Sequence, residues 1–143
     1  MGDFKNYDPS LVAVSFAGIP IQGYMDGTFV SIEREVETFT KHTGAGGDTT
    51  RVRSRNKSGT VTVTLQAASA SNALLSAQHT LDELTGLGTG ALLVKNINST
   101  ETYEASNAWI EKPPTVEAAD TASGREWVIA CADLTMIVGS AIV

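Results

Sequence analysis

Apolar and polar residues alternate with period two along much of this chain, and the alternation runs longest on two neighbouring stretches. Thr28-Phe-Val-Ser-Ile-Glu-Arg-Glu-Val-Glu-Thr-Phe-Thr-Lys41 and Arg51-Val-Arg-Ser-Arg-Asn-Lys-Ser-Gly-Thr-Val-Thr-Val-Thr-Leu-Gln66 are rich in Val, Ile, Thr and Phe, the residues that fit a pleated surface. Between them lies a tip without bulky side chains, Thr43-Gly-Ala-Gly-Gly-Asp-Thr-Thr50, expected to be mobile in an isolated chain. Residues 28–66 thus spell one long β-hairpin. An arm of about 14 residues spans roughly 46 Å, whereas a compact chain of this length forms a sphere about 37 Å across. Part of the hairpin must leave the body, and a protruding polar hairpin needs a neighbour.

Charges on the two arms suggest a register. Glu33, Glu35 and Glu37 share one face, as do Arg51, Arg53, Arg55 and Lys57. Opposed as Glu33–Arg55, Glu35–Arg53 and Glu37–Arg51, they would form a ladder, each rung contributing only about 0.2–1 kcal/mol. The apolar pattern disagrees, because Val30 and Ile32 are even-numbered while Val61, Val63 and Leu65 are odd. A one-residue bulge near Asn56–Gly59 reconciles the two. It turns Val30, Ile32, Val61, Val63 and Leu65 inward, and Ser31, Glu33, Glu35, Thr60, Thr62 and Thr64 outward.

Elsewhere the pattern predicts short strands at 11–16 and 19–22, the second at an edge because Pro20 has no N–H to donate. Asp26-Gly27 is a turn signal leading into the hairpin. A helix is expected over 70–85, capped by Ser69 or Ser71, with Leu74, Leu75, Leu81 and Leu84 on its apolar side and Gly86 ending it. Strands follow at 91–97 and 102–111, joined through Asn98-Ser99, then one over 115–122. Arg125–Val138 is nearly all apolar and reads as one long buried strand. The expected fold is mainly β (α+β): an antiparallel barrel or sandwich, one flanking α-helix and a long protruding hairpin, with residues 1–143 as a single unit.

Composition narrows the function. Sixteen acids against ten bases give a net charge of −6, the wrong sign for a protein that grips nucleic acid. The one cysteine, Cys131, excludes an internal disulfide framework, and its apolar surroundings suggest a buried structural thiol. Residues 1–6 carry no basic segment leading into an apolar core, and no apolar run reaches ~18 residues, so neither export nor a membrane span is expected. His42 and His79 lie in different elements without a local partner of the kind a metal or a triad needs. The glycines of the tip precede a strand, which disqualifies a phosphate loop, and Gly86-Leu-Gly-Thr-Gly90 runs from helix to strand, the wrong order for a dinucleotide fingerprint. Catalysis, a cofactor and a metal are not expected.

The segments Val14–Gly23, Asp26–Arg34, Asn56–Leu65, Ala108-Trp-Ile-Glu-Lys-Pro-Pro114 and Arg125-Glu-Trp127, in this order, resemble the tail tube proteins of contractile-tailed bacteriophages. The likeness extends over nearly the whole chain and departs at the hairpin tip and the last residues. It implies hexameric rings, stacked helically, whose hairpins join edge to edge around a lumen. It also implies synthesis in a host bacterial cytoplasm, a place in the virion tail, and the tail sheath, tape measure protein, tail terminator and baseplate hub as partners. Double-stranded DNA would pass without specific binding, since six chains at −6 give about −36 per ring and repel phosphate. Under that implication Ser31, Glu33, Glu35, Thr60, Thr62 and Thr64 face the lumen. Glu37, Gly44, Gly46, Gly47, Asp48, Arg51, Arg53, Arg55 and Lys57 are candidates for contacts between subunits or rings, where the basic row is neutralised by Glu33, Glu35 and Glu37 or by a neighbouring copy. Asp82, Glu83, Glu101, Glu104 and Glu117 would offer a sheath an acidic exterior. Two other readings stay open: a different ring-forming virion part, such as a terminator or head-completion ring, and a monomeric ligand-binding β-barrel.

Overall fold

The computed structural model describes residues 12–25, 27, 29–96, 101–117 and 124–138. Its strands are β1 (Val12–Phe16), β2 (Ile19–Ile21), β3 (Val30–Arg34), β4 (Phe39–Thr43), β5 (Thr49–Arg53), β6 (Gly59–Gln66), β7 (Gly90–Asn96), β8 (Thr102–Lys112), β9 (Gly124–Cys131) and β10 (Leu134–Ile137), with one helix, α1 (Ser71–Thr85), between β6 and β7. Eight strands form one antiparallel sheet ordered β2-β1-β7-β8-β9-β6-β3, with β10 also paired to β8; β4 and β5 form a separate ribbon. Among the described residues the sheet does not close: β2 and β3 remain its edges. The fold is therefore mainly β and sandwich-like, not a closed barrel. Pro20 lies on the edge strand β2, where its missing N–H costs nothing.

The core follows the alternation. Val61, Val63 and Leu65 of β6 are fully buried, as are Phe16, Leu75, Ile129 and Leu134, and Trp127 lies among them. On β8 both Ala105 and Ala108 are buried although their parity differs. The β7–β8 register shifts between Gly90 and Leu92, so an extra β8 residue turns the pleat over.

Two expected strands are corrected. Arg125–Val138 is not continuous: β9 ends at Cys131, opposite Gly59 where β6 begins, and the chain bends at Ala132-Asp133 after losing that partner. Its other ladder persists, since Ala132 N–H donates to Asn107 O (2.9 Å) and β10 continues along β8 in the same register. Residues 115–117 are not strand. Pro113 and Pro114 withhold two ladder donors just before them, and the remainder of 115–122 lies outside the described residues. So do Leu11, Asp26, Thr28, Ile97 and the Asn98-Ser99 turn.

Candidate assembly interface

The long hairpin is two ladders with a joint. Its inner part pairs β3 with β6, Val30 opposite Val63 and Glu33 opposite Thr60. Its outer part pairs β4 with β5, Phe39 opposite Arg53 and Lys41 opposite Arg51. Glu35 N–H reaches Ser58 O (3.1 Å) on the inner side of the joint, and Ser54 N–H reaches Thr38 O (2.7 Å) on the outer side. Two residues of the first arm, 36 and 37, therefore face three of the second, 55 to 57. That is the expected one-residue bulge, adjoining Gly59. Arg34 braces the joint: its Nε and Nη2 donate to Leu134 O at 3.2 and 2.7 Å, and Nη1 to Thr38 Oγ1 at 3.1 Å.

The expected Glu–Arg ladder does not form. The inner register is set by Val61 and Val63, fully buried at about 1.5–3 kcal/mol each, with Val30 and Ile32 partly buried against the same core. Three exposed ion pairs at about 0.2–1 kcal/mol apiece cannot pull the arms out of it. Glu35 instead accepts from Thr60 Oγ1 (2.9 Å) and Ser58 Oγ (3.3 Å). On the ribbon, Phe39, Lys41, Arg51 and Arg53 share one face with Lys41 and Arg51 directly opposed, a like-charge pairing that destabilises an isolated sheet. Arg51 lies over the Phe39 ring, 4.3 Å from its centroid, rather than beside Glu37. Among the described residues no carboxylate lies within ion-pair distance of this basic row. Both ribbon strands are exposed throughout, Val52 at 53% and Phe39 at 45%. At the tip Gly47 N–H bonds to Gly44 O (3.0 Å) and Gly44 N–H to Asp48 O (2.8 Å), and Gly47 takes φ 89°, which a residue with a Cβ enters only under strain.

Ser31, Glu33, Thr60, Thr62 and Thr64 project from the face of β3 and β6 opposite the core, and Glu35 reaches the same face through Thr60. The register adds residues that the sequence reading missed: Val128 and Ala130 lie opposite Thr62 and Thr60, and Trp109 opposite Ala130. Their signal was faint, because neighbours on β8 and β9 become visible only once cross-strand pairing is known. The nine inter-subunit candidates, Glu37, Gly44, Gly46, Gly47, Asp48, Arg51, Arg53, Arg55 and Lys57, all fall on the exposed joint, ribbon and tip.

Helix α1 corrects another expectation. Of its four leucines only Leu75 is buried; Leu74, Leu81 and Leu84 are exposed, Leu84 at 79%. Its inner side is held by polar bonds. Trp127 Nε1 donates to Asn72 Oδ1 (2.9 Å), Gln78 Nε2 to Gly88 O (2.8 Å) and Gln22 N–H to Ser71 Oγ (2.9 Å). The N-cap falls on Ala70, which supplies no side-chain cap, rather than on Ser69 or Ser71, although Ser71 N–H bonds to Ser69 Oγ; Gly86 ends the helix in the left-handed conformation as expected. Leu74, Leu81 and Leu84 recur at helical spacing as an outward apolar stripe, with Leu87 (76% exposed) just beyond.

Among the described residues no cluster of three or more His, Cys, Asp or Glu gathers, and no helix is long and apolar enough to cross a membrane. His79 pairs with Glu83 on α1 (3.7 Å), while His42 lies on the ribbon opposite Thr50. Cys131 is buried, and burial, reinforced by the charge of Glu35, pushes its thiol up to about 11. A cleft of about 580 Å³ opens between β3 and the ends of β1, β7 and β8, lined by residues that include Val30, Ile32, Val94 and Tyr103. Tyr103 donates to the Glu101 carboxylate, and desolvation together with that acid pushes its hydroxyl up to about 12.

Comparison with known proteins gives this geometry a context. The profile of the family described as Bacteriophage PhiTE tail tube protein matches residues 4–139. Structural protein ORF10 of Pseudomonas phage KPP10 is 30% identical over 142 residues, covering 94% of this chain and 82% of the relative. Similar folds occur in the sheath/tube terminator of the PVC extracellular contractile injection system (TM-score 0.67, 14% identity, 96% of this chain and 100% of that one). They also occur in the sheath-tube complex of that system (TM-score 0.63, 13% identity, 94% and 93%) and in the anti-feeding prophage tube-terminating cap (TM-score 0.66, 10% identity, 97% and 95%). Identities this low establish shared architecture alone. With the profile and the phage relative both spanning nearly all of the sequence, the chain belongs to the bacteriophage PhiTE tail tube protein family and is a structural component of the virion tail.

Proposed function

We propose that six copies of residues 1–143, acting as one domain, close into a ring and that the rings stack into a conduit for DNA, without catalysis or cofactor. The observation that carries this reading is a layer with two unused edges. β8, β9, β6 and β3 are neighbours in the sheet. Among the described residues β3 has no partner on its far side, and the β7–β8 ladder stops at Ala108, with no ladder partner for Trp109–Lys112 on the side away from β9. Joining the β3 edge of one copy to the β8 edge of the next satisfies both and removes an aggregation hazard. Six such layers enclose a lumen faced by Ser31, Glu33, Glu35, Thr60, Thr62 and Thr64. Hydroxyls and carboxylates there keep the wall wet and repel phosphate, so double-stranded DNA passes without being held. The tail sheath, tape measure protein, tail terminator and baseplate hub are the partners of such a tube.

Fold likeness to two terminating proteins favours a second reading, a single ring that ends a tube. Negative-stain microscopy of the purified full chain separates the two. Stacked rings with an axial channel are expected; isolated rings that never stack would assign a terminator, and single particles at every salt and concentration would end the assembly reading. The cleft beside Tyr103 gives the ligand-binding alternative its test: expanded assemblies with that cleft buried at a subunit boundary leave it no free site.

A further inference from the structure

We propose that the β4–β5 ribbon of one copy lies across helix α1 of the next, placing Phe39 and the aliphatic stems of Arg51 and Arg53 on the Leu74–Leu84 stripe. This rests on the assembly reading and names the surface that the ribbon seeks. Two features of the same chain are incomplete in complementary ways. The ribbon face combines an exposed aromatic ring with opposed like charges, Lys41 against Arg51, and among the described residues it has no carboxylate partner. The helix presents exposed leucines and contains no Lys or Arg, so no cation on it opposes the ribbon; its two acids lie off the stripe, Asp82 accepting from Gly88 N–H and Glu83 near His79.

Charge separates the two parts of the molecule in the same sense. Residues 35–57 carry five bases and three acids, +2, so with −6 overall the remaining 120 residues carry −8. A second copy is thus the acidic partner that the ribbon lacks. Dimensions agree: a five-residue strand extends ~13–17 Å, and the ten-residue span from Leu74 to Leu84 rises ~15 Å. Within one molecule the ribbon leaves β6 at its Gly59 end, whereas α1 follows its Gln66 end, roughly 23 Å away along the strand. The contact therefore joins different patches on different copies, the head-to-tail arrangement that propagates. Arg51 stacked on Phe39 presents charge and apolar surface together, already ordered before contact.

The test replaces Phe39 with photoreactive p-benzoylphenylalanine in the full chain. Assemblies of mixed isotope-labelled and unlabelled copies are irradiated, and the cross-links are mapped by mass spectrometry. Cross-links between copies landing within residues 71–88 are expected. Links elsewhere on the neighbour, or none between copies, overturn the docking while intact tubes leave the assembly reading standing; an unmodified chain that forms neither rings nor tubes defeats the assembly reading itself. Should the Phe39 variant fail to assemble, the same group at Lys41, on the same face, is read identically. A charge exchange on the stripe itself supplies the second measurement: Leu81→Lys slows assembly several-fold and Phe39→Glu in the same chain restores part of it, whereas additive loss counts against the contact. Retention of linear double-stranded DNA by unassembled copies, abolished in Arg51→Glu/Arg53→Glu, would assign the ribbon to nucleic acid and overturn the proposal.

Discussion

Gly59→Ala is the single-atom change expected to disturb the hairpin most. Gly59 opens β6, pairs with Arg34 of β3 and Cys131 of β9, and lies beneath Leu134 of β10. A Cβ added there would sit 2.4 Å from Leu134 Cδ2 and 2.7 Å from the carbonyl oxygen of Glu33. The leucine methyl can rotate aside, but the carbonyl belongs to the β3–β6 ladder, held by Ile32 packed opposite buried Val61 and by Arg34 bonded to Leu134 O. Overpacking of this kind costs about 1–3 kcal/mol. Removing glycine freedom from the unfolded chain returns about 0.4–1 kcal/mol, so a net loss of about 1–2 kcal/mol is expected. A chain of this size unfolds with an entropy of about 0.3 kcal/mol/K, which converts that loss into a melting temperature lower by about 3–7 °C. Circular-dichroism melts at concentrations below assembly provide the assay. Gly46→Ala is the control, because a Cβ there meets nothing within 4 Å and its φ is not left-handed. Equal melting of Gly59→Ala and the parent chain would refute the claim that three strands converge rigidly at this point.

Two further outcomes are expected. In isolated chains the amides of 44–50 exchange rapidly, since two turn bonds and the end of the short, exposed β4–β5 ladder hold them, and in stacked rings they become protected; rapid exchange persisting in tubes, measured by mass spectrometry, contradicts the placement of the tip against a neighbour. Cys131 should react with thiol reagents at pH 8 only after unfolding, because a thiol pushed up to about 11 is ionised to roughly one part in a thousand there. Its folded pKa lies above its ordinary 9.0, so the unfolded chain releases the proton first. Stability from this group is therefore full below pH 9 and declines towards about 11, and Cys131→Ala should flatten that slope in denaturant titrations.

The alternation of Val61, Val63 and Leu65 with threonines was enough to read β6, its buried face and its antiparallel arm, because period two is imposed by the pleat itself. The bulge was legible too, since the parities of Val30 and Val61 conflict in the sequence before any coordinates are considered. The acid–base ladder was misread for an energetic reason: charges advertise pairing clearly, yet full or partial burial of four valine and isoleucine side chains sets the register. Helix α1 was misread for a geometric one. A stripe of leucines looks the same whether it faces a core or an absent neighbour, and Asn72, Ser71 and Gln78, which tie the helix to Trp127, Gln22 and the Gly88 loop, gave no apolar signal. The assembly surfaces were half legible: composition located the ribbon, while the open edge of β8 depends on where β7 stops, which no local pattern encodes.

The opposition between a cationic flap and an anionic trunk has a directional corollary. An open stack in which one patch always meets a different patch has two unlike extremities; if the proposed ribbon–helix contact joins successive rings, one extremity presents spare arginines and the other a bare leucine ridge. Such a rod cannot halt by symmetry, for each arrival recreates the vacancy that it filled. A tube assembled as proposed would take its length from outside, from the tape measure and terminator proposed as its partners.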